Sequence, residues 1–220
     1  MSRKLQNRQA TQYRPGCQLV FAALFSLLVL HANVSQAAEN DVVRVEEDWE
    51  LVLTEPSDAK TCPQFETAMS PHGHADADYA RVTWNYREFD TFHGAGLQVQ
   101  TWHGDQLQWH RSVSEQDLSN TAEGIIWTQA LETDGTTSVF RIINGQSTTW
   151  GSFGGDDTAV QLAKSVANLN GYTTGTSTAN CQITYGLNRV SLLRIKEVRR
   201  YRADGELISV DSEPKLLYSP

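Results

Sequence analysis

Most of the chain alternates between apolar and polar positions with a period of two, the mark of strands with one buried face. In residues 42–53, Val43, Val45, Trp49, Leu51 and Leu53 share one parity, interrupted by Glu47, while Glu46, Asp48 and Glu50 share the other. Ala80, Val82, Trp84 and Tyr86 alternate with Arg81, Thr83, Asn85 and Arg87. Leu97 and Val99 alternate with Gln98 and Gln100, and Leu107, Trp109 and Val113 alternate with Gln108, His110 and Ser112. Turn signals punctuate these runs. His103-Gly104-Asp105 separates two of them, Asp134-Gly135 lies between GIIWTQALE and TTSVFRII, and Asn144-Gly145 lies between VFRII and STTWGSF. Such dipeptides supply the positive φ angles of tight hairpins. Residues 123–153 therefore predict a three-strand meander. A closing hairpin is predicted from Val190–Tyr201, a turn at Ala203-Asp204-Gly205, and Leu207–Val210.

Two stretches read less sharply. Residues 156–170 fit a short helix capped by Asp156 or Asp157 and equally fit a short strand. Residues 171–188, rich in Gly, Thr and Asn, predict a long loop. Many short antiparallel strands with at most one short helix predict an all-β fold, an antiparallel β-sandwich of jelly-roll type. The first strand is acidic and the last basic (Arg194, Lys196, Arg199, Arg200, Arg202), so the two are expected to lie side by side, with opposite charges facing across the pair.

The opening residues follow a different pattern. Arg3, Lys4, Arg8 and Arg14 form a basic region, Leu19–Leu30 is an apolar run broken only by Ser26, and Val34-Ser35-Gln36-Ala37 offers small residues for cleavage. This is the layout of a secretory signal peptide over 1–37, followed by one domain over 38–220. The apolar run of about 12 residues is short of the roughly 20 that a spanning helix needs. The mature chain is thus expected not to span a membrane, and the protein to be exported to the periplasm or beyond the cell. The full chain carries a formal charge of −8; removing four basic and no acidic residues takes it to −12. An acidic exported chain is a poor partner for nucleic acid. Cleavage also removes Cys17 and leaves Cys62 and Cys181, able to form one disulfide in an oxidising compartment.

Three constellations could carry chemistry. Glu46, Asp48 and Glu50 place three carboxylates on one face of a strand. This spacing resembles the catalytic strand of laminarinase-like retaining glycoside hydrolases. That resemblance implies Glu46 as nucleophile, Asp48 as its helper and Glu50 as acid/base. Glu47 departs from the aliphatic residue of that pattern, and an acidic solvated strand face is the competing reading. His72, His74, Asp76 and Asp78 offer imidazole and carboxylate ligands for a metal, against the plainer reading of a hydrophilic turn. Gln98, Gln100 and Trp102, with Gln108 and His110 on the next strand, could form a sugar-binding platform of an aromatic face among polar groups. The competing reading packs Trp102 under a loop. No phosphate-binding glycine loop, nucleophile elbow or C-x-x-C pair is present, and no cofactor is implied.

VRVEEDWEL (43–51), STTWGSFGG (147–155), LNGY (169–172) and NRVSLLRIKEVRRY (188–201) resemble a group of uncharacterised exported bacterial proteins, a resemblance that carries no activity with it. The last strand also resembles that of concanavalin-like and laminin-G-like sandwiches, at the level of fold. The expectation is an exported, non-catalytic binding or structural module for carbohydrate or an envelope partner. The alternative is a polysaccharide-active hydrolase or lyase using strand carboxylates.

Overall fold

The alternation in residues 44–53 becomes a central strand. A computed structural model describes residues 41–55, 64–72, 78–86, 96–116, 118, 121–177 and 189–218. Residues 1–40, which include the expected signal peptide, and Cys62, Cys181, His74 and Asp76 lie outside the described residues. Among the described residues thirteen strands follow in chain order: β1 (Arg44–Leu53), β2 (Phe65–Ser70), β3 (Asp78–Trp84), β4 (Leu97–His103), β5 (Gln106–Ser114), β6 (Glu123–Thr133), β7 (Ser138–Ser147), β8 (Gly151–Phe153), β9 (Val160–Gln161), β10 (Thr173–Ser177), β11 (Val190–Tyr201), β12 (Leu207–Asp211) and β13 (Lys215–Tyr218). They form two antiparallel sheets packed as a β-sandwich. One has the order β12-β11-β1-β6-β7-β8, with β13 also on β11 and β9 also on β7; the other has the order β10-β2-β3-β4-β5. Among the described residues no helix is long and apolar enough to cross a membrane.

The inner faces meet through the predicted parity. Val45, Trp49, Leu51 and Leu53 of β1 join Ile125, Trp127 and Leu131 of β6, and Val82, Trp84, Leu97 and Val99 from the other sheet. Three indoles tie the layers together: Trp49 stacks on Trp127 at 5.4 Å, and Trp84 reaches across to Trp127 at 4.1 Å. β1 pairs with β11 as its charges demand, with Glu46 opposite Arg199 and Glu50 opposite Arg194.

Four expectations are corrected. Asn144-Gly145 is not a turn. β7 runs through it, with a register shift against β6, and the chain turns at 148–150. Glycine is needed at 145 because a Cβ there would lie within the Phe153 ring. The 156–170 stretch is neither a full helix nor a full strand. It is a 3-10 turn at Asp156–Thr158, the short β9, and then irregular chain that buries Leu162, Val166 and Leu169 in the core. Residues 173–177, expected to be loop, form the edge strand β10 against β2. Leu107 and Trp109 are not buried, because β5 is also an edge strand and overhangs the core.

Candidate binding face

Strand β1 holds Glu46, Asp48 and Glu50 on the outer face of the larger sheet. Arg199 reaches Glu46 at 2.9 Å and Asp48 at 2.6 Å, and Arg194 holds Glu50. Burial alone would raise Glu46. Hydrogen bonds from Arg199 and Tyr201, with the charge of Arg44, outweigh it and hold the carboxyl below its usual range. The same balance, dominated on the lowering side by Arg199, holds Asp48 down. Both are ionised and committed to guanidinium groups. A cavity of 660 Å³ at one end of this face is lined by Arg44, Glu46, Glu132, Tyr201 and Arg202 among others. Its charges are already paired: Arg44 bonds Glu46 within the lining, and Arg202 bonds Glu206 beside it.

The outer face of the five-stranded sheet is built differently. Parity places Glu66 of β2, Tyr79, Arg81 and Thr83 of β3, and Gln98, Gln100 and Trp102 of β4 on the side away from the core. Register sets Arg81 beside Gln100 and Tyr79 beside Trp102. Arg81 Nη1 donates to Glu66 at 2.9 Å, and Arg81 Nε donates to Gln100 Oε1 at 2.7 Å. The same Gln100 oxygen accepts from Trp102 Nε1 at 2.9 Å, and the Gln100 amide donates to Gln98 at 2.5 Å. The Arg81 guanidinium lies over the Trp102 ring, 4.0 Å from its centre. The Tyr79 ring lies parallel to that of Trp102 within 9°, at 6.5 Å.

Outward-facing polar groups are normally solvated. Here Glu66, Thr83, Gln98 and Gln100 are all buried, while Tyr79, Arg81 and Trp102 are half-buried. Burial pushes the Glu66 carboxyl up, against the opposing charge of Arg81, and lowers Arg81 from its ordinary value. Desolvation likewise raises the Tyr79 phenol.

The structure therefore brings together Gln98, Gln100 and Trp102, and sets His110, exposed, opposite Gln100. Gln108 falls in the bulge between Leu107 and Trp109, and its side-chain amide donates to the Gln106 carbonyl of its own strand. The Gln100 amide is committed inside the network and does not face solvent as a donor. Sequence reasoning missed Glu66, Arg81 and Tyr79. The alternation of Ala80, Val82 and Trp84 already put Tyr79 and Arg81 on the outer face, but their partners lie on other strands. Of the metal-ligand run, His72 is exposed and Asp78 is buried. Register places Asp78 opposite His103, which that run did not contain. Among the described residues no three His, Cys, Asp or Glu side chains converge as a metal cluster.

A second polar group sits where apolar side chains belong. Glu47 and Gln129 are fully buried between the sheets. Glu47 accepts from Trp49 Nε1 at 2.8 Å, from Gln129 Nε2 at 2.7 Å and from the Tyr172 hydroxyl. Gln129 Oε1 accepts from Trp127 at 3.1 Å. Burial drives the Glu47 carboxyl up, and these hydrogen bonds recover only part of that cost.

No known protein family matches the chain, and no curated protein does. Among solved structures it is similar to scytalido-glutamic peptidase bound to a transition state analog inhibitor. The likeness has 10% identity and a TM-score of 0.33, over 80% of this chain and 84% of that one. At that level it speaks to neither site nor activity.

Proposed function

We propose that the protein is an exported, non-catalytic binding module that takes a hydroxyl-rich ring ligand, a carbohydrate, on the outer face of its five-stranded sheet around Trp102 and Tyr79. The observation that carries this is the clamp on Trp102. Its indole N–H is held by Gln100 and one ring face by Arg81, which is itself fixed by Glu66. Fixing an aromatic side chain before the ligand arrives removes an ordering cost of about 0.5–1.5 kcal/mol from binding. A solvated strand face has no use for such a clamp. Charges close to balance here, Glu66 against Arg81, which suits a ligand that stacks and shares hydrogen bonds over one recognised by net charge. The β1 carboxylates favour this reading over a hydrolase, since each is neutralised by arginine on a sheet face.

The test is a glycan array followed by calorimetry on the best ligand. Trp102→Ala is expected to weaken binding at least tenfold, about 1.4 kcal/mol. A blank array, or undiminished binding by Trp102→Ala, refutes the reading.

A further inference from the structure

At the strand ends next to Tyr79 and Trp102, Asp78 and His103 face each other across β3 and β4. Asp78 Oδ1 lies 3.3 Å from His103 Nδ1. Both atoms are buried, and neither has a hydrogen-bond partner among the described residues. Asp78 is only 4% exposed, whereas the His103 side chain is 41% exposed, so the carboxylate is enclosed while the rest of the imidazole reaches solvent. Thr101, two residues before His103 on the same face of β4, carries a third buried, unpartnered polar atom.

An orphaned buried carboxylate oxygen costs at least about 1–3 kcal/mol, so it calls for a partner. The imidazole is close enough to be that partner but is not aligned to donate. The spacing has another meaning. Two ligands on one tetrahedral ion, with bonds of about 2.0–2.2 Å, stand about 3.3–3.6 Å apart. Directly opposed residues of an antiparallel pair have Cβ atoms about 4.5–5.5 Å apart, a span that lets both side chains reach one ion.

We infer that Asp78 and His103 hold a divalent transition metal ion of the zinc class. Imidazole together with carboxylate selects such an ion over calcium or magnesium, which take oxygen donors. Asp78 supplies a carboxylate oxygen and His103 its Nδ1, and water fills the remaining positions. His74 and Asp76 lie outside the described residues and are no part of this assignment.

The test is titration of metal-stripped, untagged protein with zinc chloride, followed by calorimetry and by the shift in melting temperature. The expected result is one Zn²⁺ per chain and a raised melting temperature, since an ion bound only by the folded state stabilises it. Asp78→Asn and His103→Gln should each weaken binding at least tenfold and abolish the shift, while His110→Gln keeps both. The shift compares each variant with and without metal, so it survives any change in basal stability. Magnesium chloride should do nothing. No zinc binding, a response to magnesium equal to that to zinc, wild-type binding by either Asp78→Asn or His103→Gln, or loss of binding in His110→Gln would overturn the assignment.

Discussion

Replacing Glu47 separates the two costs that its site balances, burial of charge and satisfaction of donors. Three donors point at this carboxylate: the Trp49 indole, the Gln129 amide and the Tyr172 hydroxyl. In Glu47→Gln the new amide oxygen keeps the Trp49 and Gln129 bonds. The new N–H₂ meets Tyr172, whose hydroxyl turns from donor to acceptor. In Glu47→Leu all three donors lose their acceptor. At about 1–3 kcal/mol each, and toward the lower end for the partly buried Tyr172, that costs about 3–6 kcal/mol. A domain at the low end of ordinary stability, about 5 kcal/mol, barely survives such a loss.

The two variants also differ in pH dependence. The folded-state pKa of Glu47 is raised above 4.5 by burial. Its favourable contribution is therefore complete below the unfolded value. It is lost at up to about 1.4 kcal/mol per pH unit as pH climbs from there through the folded value. Glu47→Gln has no proton to lose and should be at least as stable as the wild type at pH 8. The assay is urea unfolding at several pH values between 4.5 and 8, followed by tryptophan fluorescence, which Trp49 and Trp127 report from within the network. The reasoning fails if Glu47→Leu lies within 1 kcal/mol of Glu47→Gln, or if Glu47→Gln keeps the wild-type loss of stability on raising the pH.

Gly145→Ala drives a methyl group into the Phe153 ring and should cost about 1–3 kcal/mol by thermal melting. Gly124→Ala, with nothing within 4 Å of the new Cβ, should be neutral or slightly stabilising. Glu46 and Asp48 have lowered pKa values, so their contribution is present above about 4–4.5 and disappears as pH falls through their folded values. Arg199→Leu should flatten that acid limb, and an unchanged limb would show that the carboxylates are held by something else. Arg81→Leu frees the Trp102 ring and its Gln100 acceptor, and should alter Trp102 emission while leaving the fold intact by circular dichroism.

How much of this was legible along the chain depends on the distance between partners. Alternation identified the inner face of β1 and the outer placement of Gln98, Gln100 and Trp102, since parity is a local property. Opposite charge paired β1 with β11. Glu47 was visible as an intruder in an apolar parity, but its acceptor role was not: Gln129 lies 82 residues away and Tyr172 lies 125 away. The reading of Asn144-Gly145 as a turn failed because a glycine can serve close packing as well as a positive φ. β10 was missed because TTGTS has no apolar parity to read. His103 stood outside the ligand run because only strand register sets it against Asp78.

β1 lies at the heart of its sheet yet is the first strand among the described residues. Its Arg44 is matched on one side to Glu132 and on the other to Tyr201. A growing chain therefore carries this strand with at least one edge bare until β11 has been made. Pairings of such long sequence separation are intrinsically slow to form. Any fragment ending before residue 190 leaves β1 with an open edge, a template for strands of other chains.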